Sequence, residues 1–390
     1  MKRLILFLSL LSLFSIEVLR VYLVMPFPGS QQFESVGIAF WLDNNIVWLR
    51  ILLLSVVIYI LGKIFTRAYT WEKAVWSLAL AGYVIVFFLF NFRYQADKIF
   101  KEPGILSFVH GEKVEDKTKL VIGVVINGEA KAYPIQLIGY HHQVTDTVGN
   151  TPVWITYCTV CRTGRAFSPV IGGRSQSFRL IGMDRFNAVF EDQETGTWWR
   201  QATGEAIAGP LKGSTLTEFK SVQLPLEAWL RQYPGSLVMQ PDEKFSDRYF
   251  RLEDYDRGTM PSKLVRRDPV SWREKSWIVG VMSGMGSKAF DWNELVKKRI
   301  IQDSIPQPIL VAMENNMTAF HVYDRTVRGT VLKFQMAAND TLVDENTMSV
   351  WNIDGICIEG VFKGEKLERV QAYNEFWHSW QTFRGNKAAR

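Results

Sequence analysis

The chain has 390 residues, of which 47% are hydrophobic, 13% aromatic and 22% charged. That apolar mass excludes a disordered or collagen-like protein and suits two or three domains. Three cysteines exclude a disulfide-built scaffold and a four-cysteine metal site within one chain, and a net charge of +6 with no Lys/Arg block argues against a nucleic-acid partner.

Three apolar runs open the chain, at 4–25, 46–65 and 71–92. Each has about 20 residues, enough to cross a hydrocarbon core of roughly 30 Å as a helix. The first carries Glu17 and Arg20, three apart and able to pair on one helical face. Lys2 and Arg3 would suit a signal peptide, yet no small-x-small cleavage site follows Phe14 and two more spans do, so the run reads as an uncleaved anchor. Lys2 and Arg3 precede the first span, residues 26–45 hold no Lys or Arg, and Lys63, Arg67 and Lys73 surround the second connection. Positive charge stays on the cytoplasmic side. The pattern predicts a multi-pass protein of the bacterial cytoplasmic (inner) membrane with residues 93–390 on the extracytoplasmic side. Arg93, Lys98 and Lys101 pull mildly the other way.

After residue 92 the composition becomes that of a β-rich globular protein. Asn127-Gly128 between 120–126 and 129–133 is a strong hairpin signal, and 153–157 reads as a buried strand. Gly172-Gly173 and Thr195-Gly196 predict two further hairpins, with arms 165–170 and 175–181, then 188–192 and 197–201. A short helix is expected over 226–232.

The same order recurs further on. Gly123 matches Gly280, Asp146 matches Asp303, Ala166-Phe167 matches Ala319-Phe320, and Thr195 and Trp199 match Thr347 and Trp351. Gly204, Gly209 and Gly213 match Gly355, Gly360 and Gly364, and Glu227 and Trp229 match Glu375 and Trp377. The fold expected is a membrane α-helical N-terminal region (1–92) followed by a mainly β, β-rich α+β extracytoplasmic region of two diverged repeats, at 93–240 and 273–390. A charged linker, 241–272, joins them.

The chemistry gathers in the first repeat. Cys158-Thr159-Val160-Cys161 follows the strand at 153–157, with His141 and His142 upstream. The second repeat aligns Lys298 and Arg299 with the histidines, Asn315 with Cys158 and Thr318 with Cys161. Groups needed for packing should persist in both copies, whereas groups needed for a site can survive in one. A Cys-x-x-Cys pair can exchange with a substrate disulfide, or capture Cu or Zn with imidazole completing the shell. Covalent c-type haem needs His directly after the second Cys, where Arg162 stands, so none is expected. A structural disulfide is the plain alternative, worth about 2 kcal/mol for so short a loop. A thioredoxin fold is not expected, since that motif opens a helix.

The expected catalytic pair is Cys158 and Cys161. The expected metal set is Cys158, Cys161, His141 and His142, with Tyr157, Arg162 and Asp146 in support. On a strand the adjacent histidines would point opposite ways. Asp146, matched by Asp303, suits a turn or cap, and Cys357 suits a core strand. The leading functional reading is a metal or thiol-redox site, for copper handling or thiol exchange. The other is a non-catalytic binding or assembly scaffold for an envelope protein partner.

Ala132-Tyr133-Pro134, His141 five before Asp146, Thr156-Tyr157-Cys158-x-x-Cys161 and the run from Thr203 to Leu211 together resemble the bacterial and archaeal domain-of-unknown-function 3179 family. The resemblance covers about residues 99–240, with the second repeat as a degenerate relative. In that family Glu usually follows the His, and Pro-Leu lies between the cysteines before a Gly. Here His142, Thr159-Val160 and Arg162 occupy those places. The resemblance implies an extracytoplasmic module and brings no established activity.

Overall fold

The structure is a computed structural model that describes residues 1–66, 68–284 and 286–385. Arg67, one of the charges used above to orient the spans, and residues 386–390 of the second expected repeat lie outside the described residues. By internal contacts the chain forms two compact units. One comprises Met1–Lys101, Gln176–Arg200 and Glu205–Thr215; the other comprises Glu102–Ser175, Gln201–Gly204 and Leu216–Arg390.

The first unit is built on helices α1 (Lys2–Tyr22), α2 (Val36–Phe65) and α3 (Thr70–Phe92). Each is long and apolar enough to cross a membrane. Leu6, Leu13, Val57 and Tyr83 pack inside, while Phe7, Trp48, Leu78 and Phe88 stay exposed, an apolar outer face suited to lipid. The α2 helix starts ten residues before the run at 46–65, because Asp43, Asn44 and Asn45 are absorbed into it. Glu17 and Arg20 do not pair with each other as expected. Glu17 takes Arg50 of α2 in a two-pronged bond, both arms 2.6 Å, and Arg20 takes Asp43 at 2.7 Å. Helix packing supplied better-placed partners than the same turn of α1, and bidentate geometry is the stronger arrangement. Asn91 and Tyr83 of α3 also donate to Glu17, so the bundle closes round one buried polar network. The unit also holds a four-stranded antiparallel sheet in the order 206–208, 198–200, 187–192, 178–184. Ile181, Val189 and Trp198 of this sheet pack with Leu23 and Ala39.

The second unit is β-rich. A five-stranded sheet runs in the order Phe108–His110, Leu237–Met239, Glu129–Pro134, Leu120–Ile126, Ser221–Pro225. Asn127 and Gly128, both at positive φ, make the tight turn their sequence predicted. A short helix, Ile135–His141, leads into the three-stranded sheet 143–148, 151–158, 163–167. The later half has its own hairpin, Trp277–Ser283 with Gly286–Asp291, then the helix Trp292–Lys298 and the three-stranded sheet 300–303, 309–313, 320–324. The closing strand Gln371–Phe376 pairs with Trp277–Ser283, and the helix Trp377–Arg384 follows. Closing strands of the two halves meet: Gln223 Oε1 accepts from Asn374 N at 2.7 Å, and Ser221 and Gln371 exchange two bonds. Residues 241–272 do more than span a gap, since Phe245, Tyr249 and Tyr255 are buried.

Candidate functional site

The strand Thr151–Cys158 is buried from Val153 onward. Its β-branched and aromatic residues fit a strand covered on both faces. Cys158 ends it, and the chain turns through Thr159 to Arg162 before the strand Thr163–Phe167. Arg162 takes φ 58°, a left-handed residue that reverses the chain. The carbonyls of Thr159, Val160 and Cys161 are each bonded from far away in sequence. Tyr255 Oη donates to Thr159 O at 2.8 Å, Lys275 Nζ to Val160 O at 2.6 Å, and Phe376 N to Cys161 O at 3.0 Å. His378 Nε2 also lies 3.1 Å from Val160 O and 3.1 Å from Lys275 Nζ.

Both thiols are unoxidised and fully buried. Burial pushes the Cys161 thiol well above its ordinary range, and its hydrogen bond to Cys158 pushes the same way. Lys275 and the Ser379 hydroxyl pull it back down without prevailing. Lys275 is itself lowered by burial, against the attraction of the two sulfurs. The arrangement therefore keeps the Cys161 thiol protonated beside Cys158, next to a cation and a hydroxyl that stabilise a thiolate once one forms.

The histidines do not lie on a strand. His141 is the last residue of the helix Ile135–His141, and His142 is its left-handed cap, φ 65°. His141 Nε2 lies 2.6 Å from Tyr249 Oη, with its ring edge-on to Phe245. His142 Nδ1 lies 3.1 Å from Tyr140 O, and burial lowers its pKa to about 4. Among the described residues no three His, Cys, Asp or Glu side chains are grouped so as to hold a metal ion. Asp146 takes neither a turn nor a cap: it sits within the strand Gln143–Val148, where Lys131 Nζ and Tyr133 Oη bind it at 3.0 and 2.6 Å. Tyr157 Oη bonds Tyr255 Oη at 3.3 Å and is pushed above its usual range by burial. Arg162 lies over Trp277, its guanidinium carbon 4.0 Å from the ring centroid. Cys357 is buried, with its thiol on Glu359 O at 3.2 Å.

Sequence reasoning missed Lys275, His378, Ser379, Tyr255 and Phe376, which enclose the turn. The one available signal was that Lys275 and His378 flank the closing strand and opening hairpin of the second half.

The turn sits inside a stretch whose sequence matches a known family model. The model described as protein of unknown function (DUF3179) matches residues 102–387. The chain belongs to the DUF3179 family. The match extends well past the 99–240 stretch whose motifs carried the resemblance, so the DUF3179 unit includes both the Cys158–Cys161 turn and the distant segments that close over it. Nothing matches among curated proteins or among solved structures.

Proposed function

We propose that this DUF3179 chain is a multi-pass protein of the bacterial cytoplasmic membrane whose residues 93–390 lie outside the cytoplasm and carry a thiol–disulfide couple, Cys158 and Cys161. One observation carries the redox reading: two sulfurs in mutual hydrogen-bonding reach, in a preformed turn, with Lys275 and Ser379 against Cys161. Oxidation joins the two sulfurs and hands two electrons and two protons to an external disulfide, which leaves as two thiols. Because both sulfurs are fully buried, attack requires the turn to open first. The bonds from Lys275 and His378 to Val160 O are the latch that must break. The extracytoplasmic placement rests on the Lys/Arg distribution around three spans and on their apolar outer faces.

Two diverged repeats are part of the reading. Asp192 accepts from Thr195 N and Trp199 Nε1, and Asp344 accepts from Thr347 N and Trp351 Nε1. His142 and Arg299 both cap a seven-residue helix at φ 65°. Two correspondences read from sequence shift by a few residues. The tryptophan under Gly280 is Trp380, as Trp229 lies under Gly123. The two sheet registers support Glu314 as the counterpart of Cys158, since Thr156 pairs with Gln143 and Ala312 with Ile300. Glu314 accepts from His321 at 2.7 Å and pairs with Arg231 at 2.6 Å, so a carboxylate with a hydrogen bond and an ion pair fills the position that a thiol fills in the first half.

Complete burial of both thiols favours a second reading, an inert staple in a binding scaffold. Metal capture has less support, given the ligand grouping above. Equilibrating the purified full chain in glutathione buffers of graded ratio, then trapping with a mass-tagged maleimide after denaturation, separates them. The redox reading expects Cys158 and Cys161 to convert together, with Cys357 labelled throughout. A pair locked in either state across the series would remove it and leave the staple.

A further inference from the structure

A cavity of about 860 Å³ is lined by Tyr157 and Arg162, the residues just outside the two cysteines, while the cysteines themselves do not line it. Its inner wall is aromatic. Trp277 and Trp292 meet edge to face at 5.3 Å and 89°, and Trp292 meets Phe320 at 5.9 Å and 76°. Two guanidinium groups lie over Trp277, Arg162 at 4.0 Å and Arg267 at 4.4 Å from the ring centroid. Among the described residues neither arginine forms an ion pair. Arg162 donates to Asn374 Oδ1 at 2.5 Å and more weakly to the carbonyls of Tyr255 and Asp256, at 3.3 and 3.4 Å. Arg267 donates through Nη2 to Asn293 Oδ1, and its Nε is buried without a partner, as is Trp277 Nε1.

Two neighbouring cations without a paired carboxylate are costly away from water. Burial lowers the Arg267 pKa, and the charge on Arg162 adds to it, in keeping with that repulsion. The inner wall carries one carboxylate, Asp256, with one oxygen bound by Leu120 N at 2.9 Å and the other unpartnered. Three further carboxylates, Asp116, Glu227 and Glu253, line the cavity from exposed positions, beside Lys119 and Arg257. The positive charge is therefore deep and the acidic charge lies toward solvent. The volume falls within the range of small-molecule sites.

We propose that this cavity binds a small amphipathic anion: one carboxylate or phosphate group seated by Arg162 and Arg267, and a flat apolar body along Trp277, Trp292 and Phe320. The exposed carboxylates disfavour a second negative group at the outer end of the ligand. The site stands whether or not the thiols cycle.

Titration calorimetry on the detergent-solubilised full chain tests this with 1-naphthoate, 1-naphthyl phosphate, neutral 1-naphthol and inorganic phosphate, each corrected for empty micelles. At least one naphthyl anion should bind saturably at one site, at least ten-fold tighter than 1-naphthol and inorganic phosphate. Whichever anion binds tighter names the head group. Arg267→Gln should weaken it ten-fold or more. Val296→Trp, which fills the cavity from its partly exposed lining, should abolish it with the melting transition retained. The proposal falls if neither anion binds saturably, if 1-naphthol binds as tightly, or if both folded variants keep wild-type affinity.

Discussion

Arg165 lies four residues past Cys161, with its side chain 1% exposed, and it pairs with Glu375, 2% exposed, on the closing strand of the second half. Its guanidinium also lies 3.5 Å from the centroid of the Tyr373 ring and donates to Ala202 O at 3.2 Å. Glu375 precedes Phe376, whose N–H holds Cys161 O, so this ion pair clamps the cysteine turn to the strand that closes over it. Removing one partner strands a buried charge, which costs roughly 3–5 kcal/mol, whereas replacing both with apolar residues costs far less. Glu375→Ala should therefore lower the unfolding free energy by about 3 kcal/mol in chemical denaturation followed by tryptophan fluorescence. Arg165→Met combined with Glu375→Leu should recover most of that loss. A single variant within about 0.5 kcal/mol of wild type would show that Glu218, 3.7 Å from Arg165, already serves as counter-ion. At this scale the cysteines were legible and their surroundings were not. Lys275 and His378 meet Val160 across 115 and 218 positions, and no local pattern encodes such a meeting.

The elements that sequence exposed are those whose signal is local. The three apolar runs became three helices, and Asn127-Gly128 became a tight hairpin turn. Gly172-Gly173 gave a hairpin too, but one of two-residue arms, 170–171 and 174–175, because the following strand joins a different sheet. The charged stretch 241–272 looked like a linker because charge dominates it; its three aromatic residues, Phe245, Tyr249 and Tyr255, decide its packing. Gly123 and Gly280 are informative in another way. A Cβ on Gly123 would stand 2.4 Å from Trp229 Cε3, and one on Gly280 would stand 2.1 Å from Trp380 Cζ3. Neither indole can yield cheaply, since each is buried between strand and helix. Overpacking of this kind costs about 1–3 kcal/mol. Gly123→Ala should lower the melting midpoint clearly, while Gly128→Ala in the open turn should act only through its positive φ. Equal melting midpoints for wild type and Gly123→Ala would mean that the strand shifts freely, and that the helix Leu226–Gln232 is not seated on it.

For the molecule as a whole, acid is the informative perturbation, because several histidines are buried in neutral form. Burial lowers His142 to about 4 and His378 to about 3, and His321 is lowered as well. An unfolded histidine titrates near 6.5. Above that pH both states leave it neutral and stability does not change. As pH falls from about 6.5 toward 4, the unfolded chain gains a proton at His142 that the folded chain refuses, so stability declines. Raised carboxyl groups act in the opposite sense: Asp256 and Glu218, held up by burial, take up protons in the folded state first as pH falls. The total curve mixes both signs, and a difference between two chains isolates one. His142→Asn keeps a residue suited to the left-handed cap and removes the titration. Wild type should lose stability relative to His142→Asn by on the order of 1 kcal/mol per pH unit below 6.5, with no change in the difference above it. Denaturation of both chains at stepped pH measures this directly. A difference that stays constant from pH 7 to pH 4 would mean that water reaches the imidazole, and that the packing round His142 is looser than its near-complete burial requires.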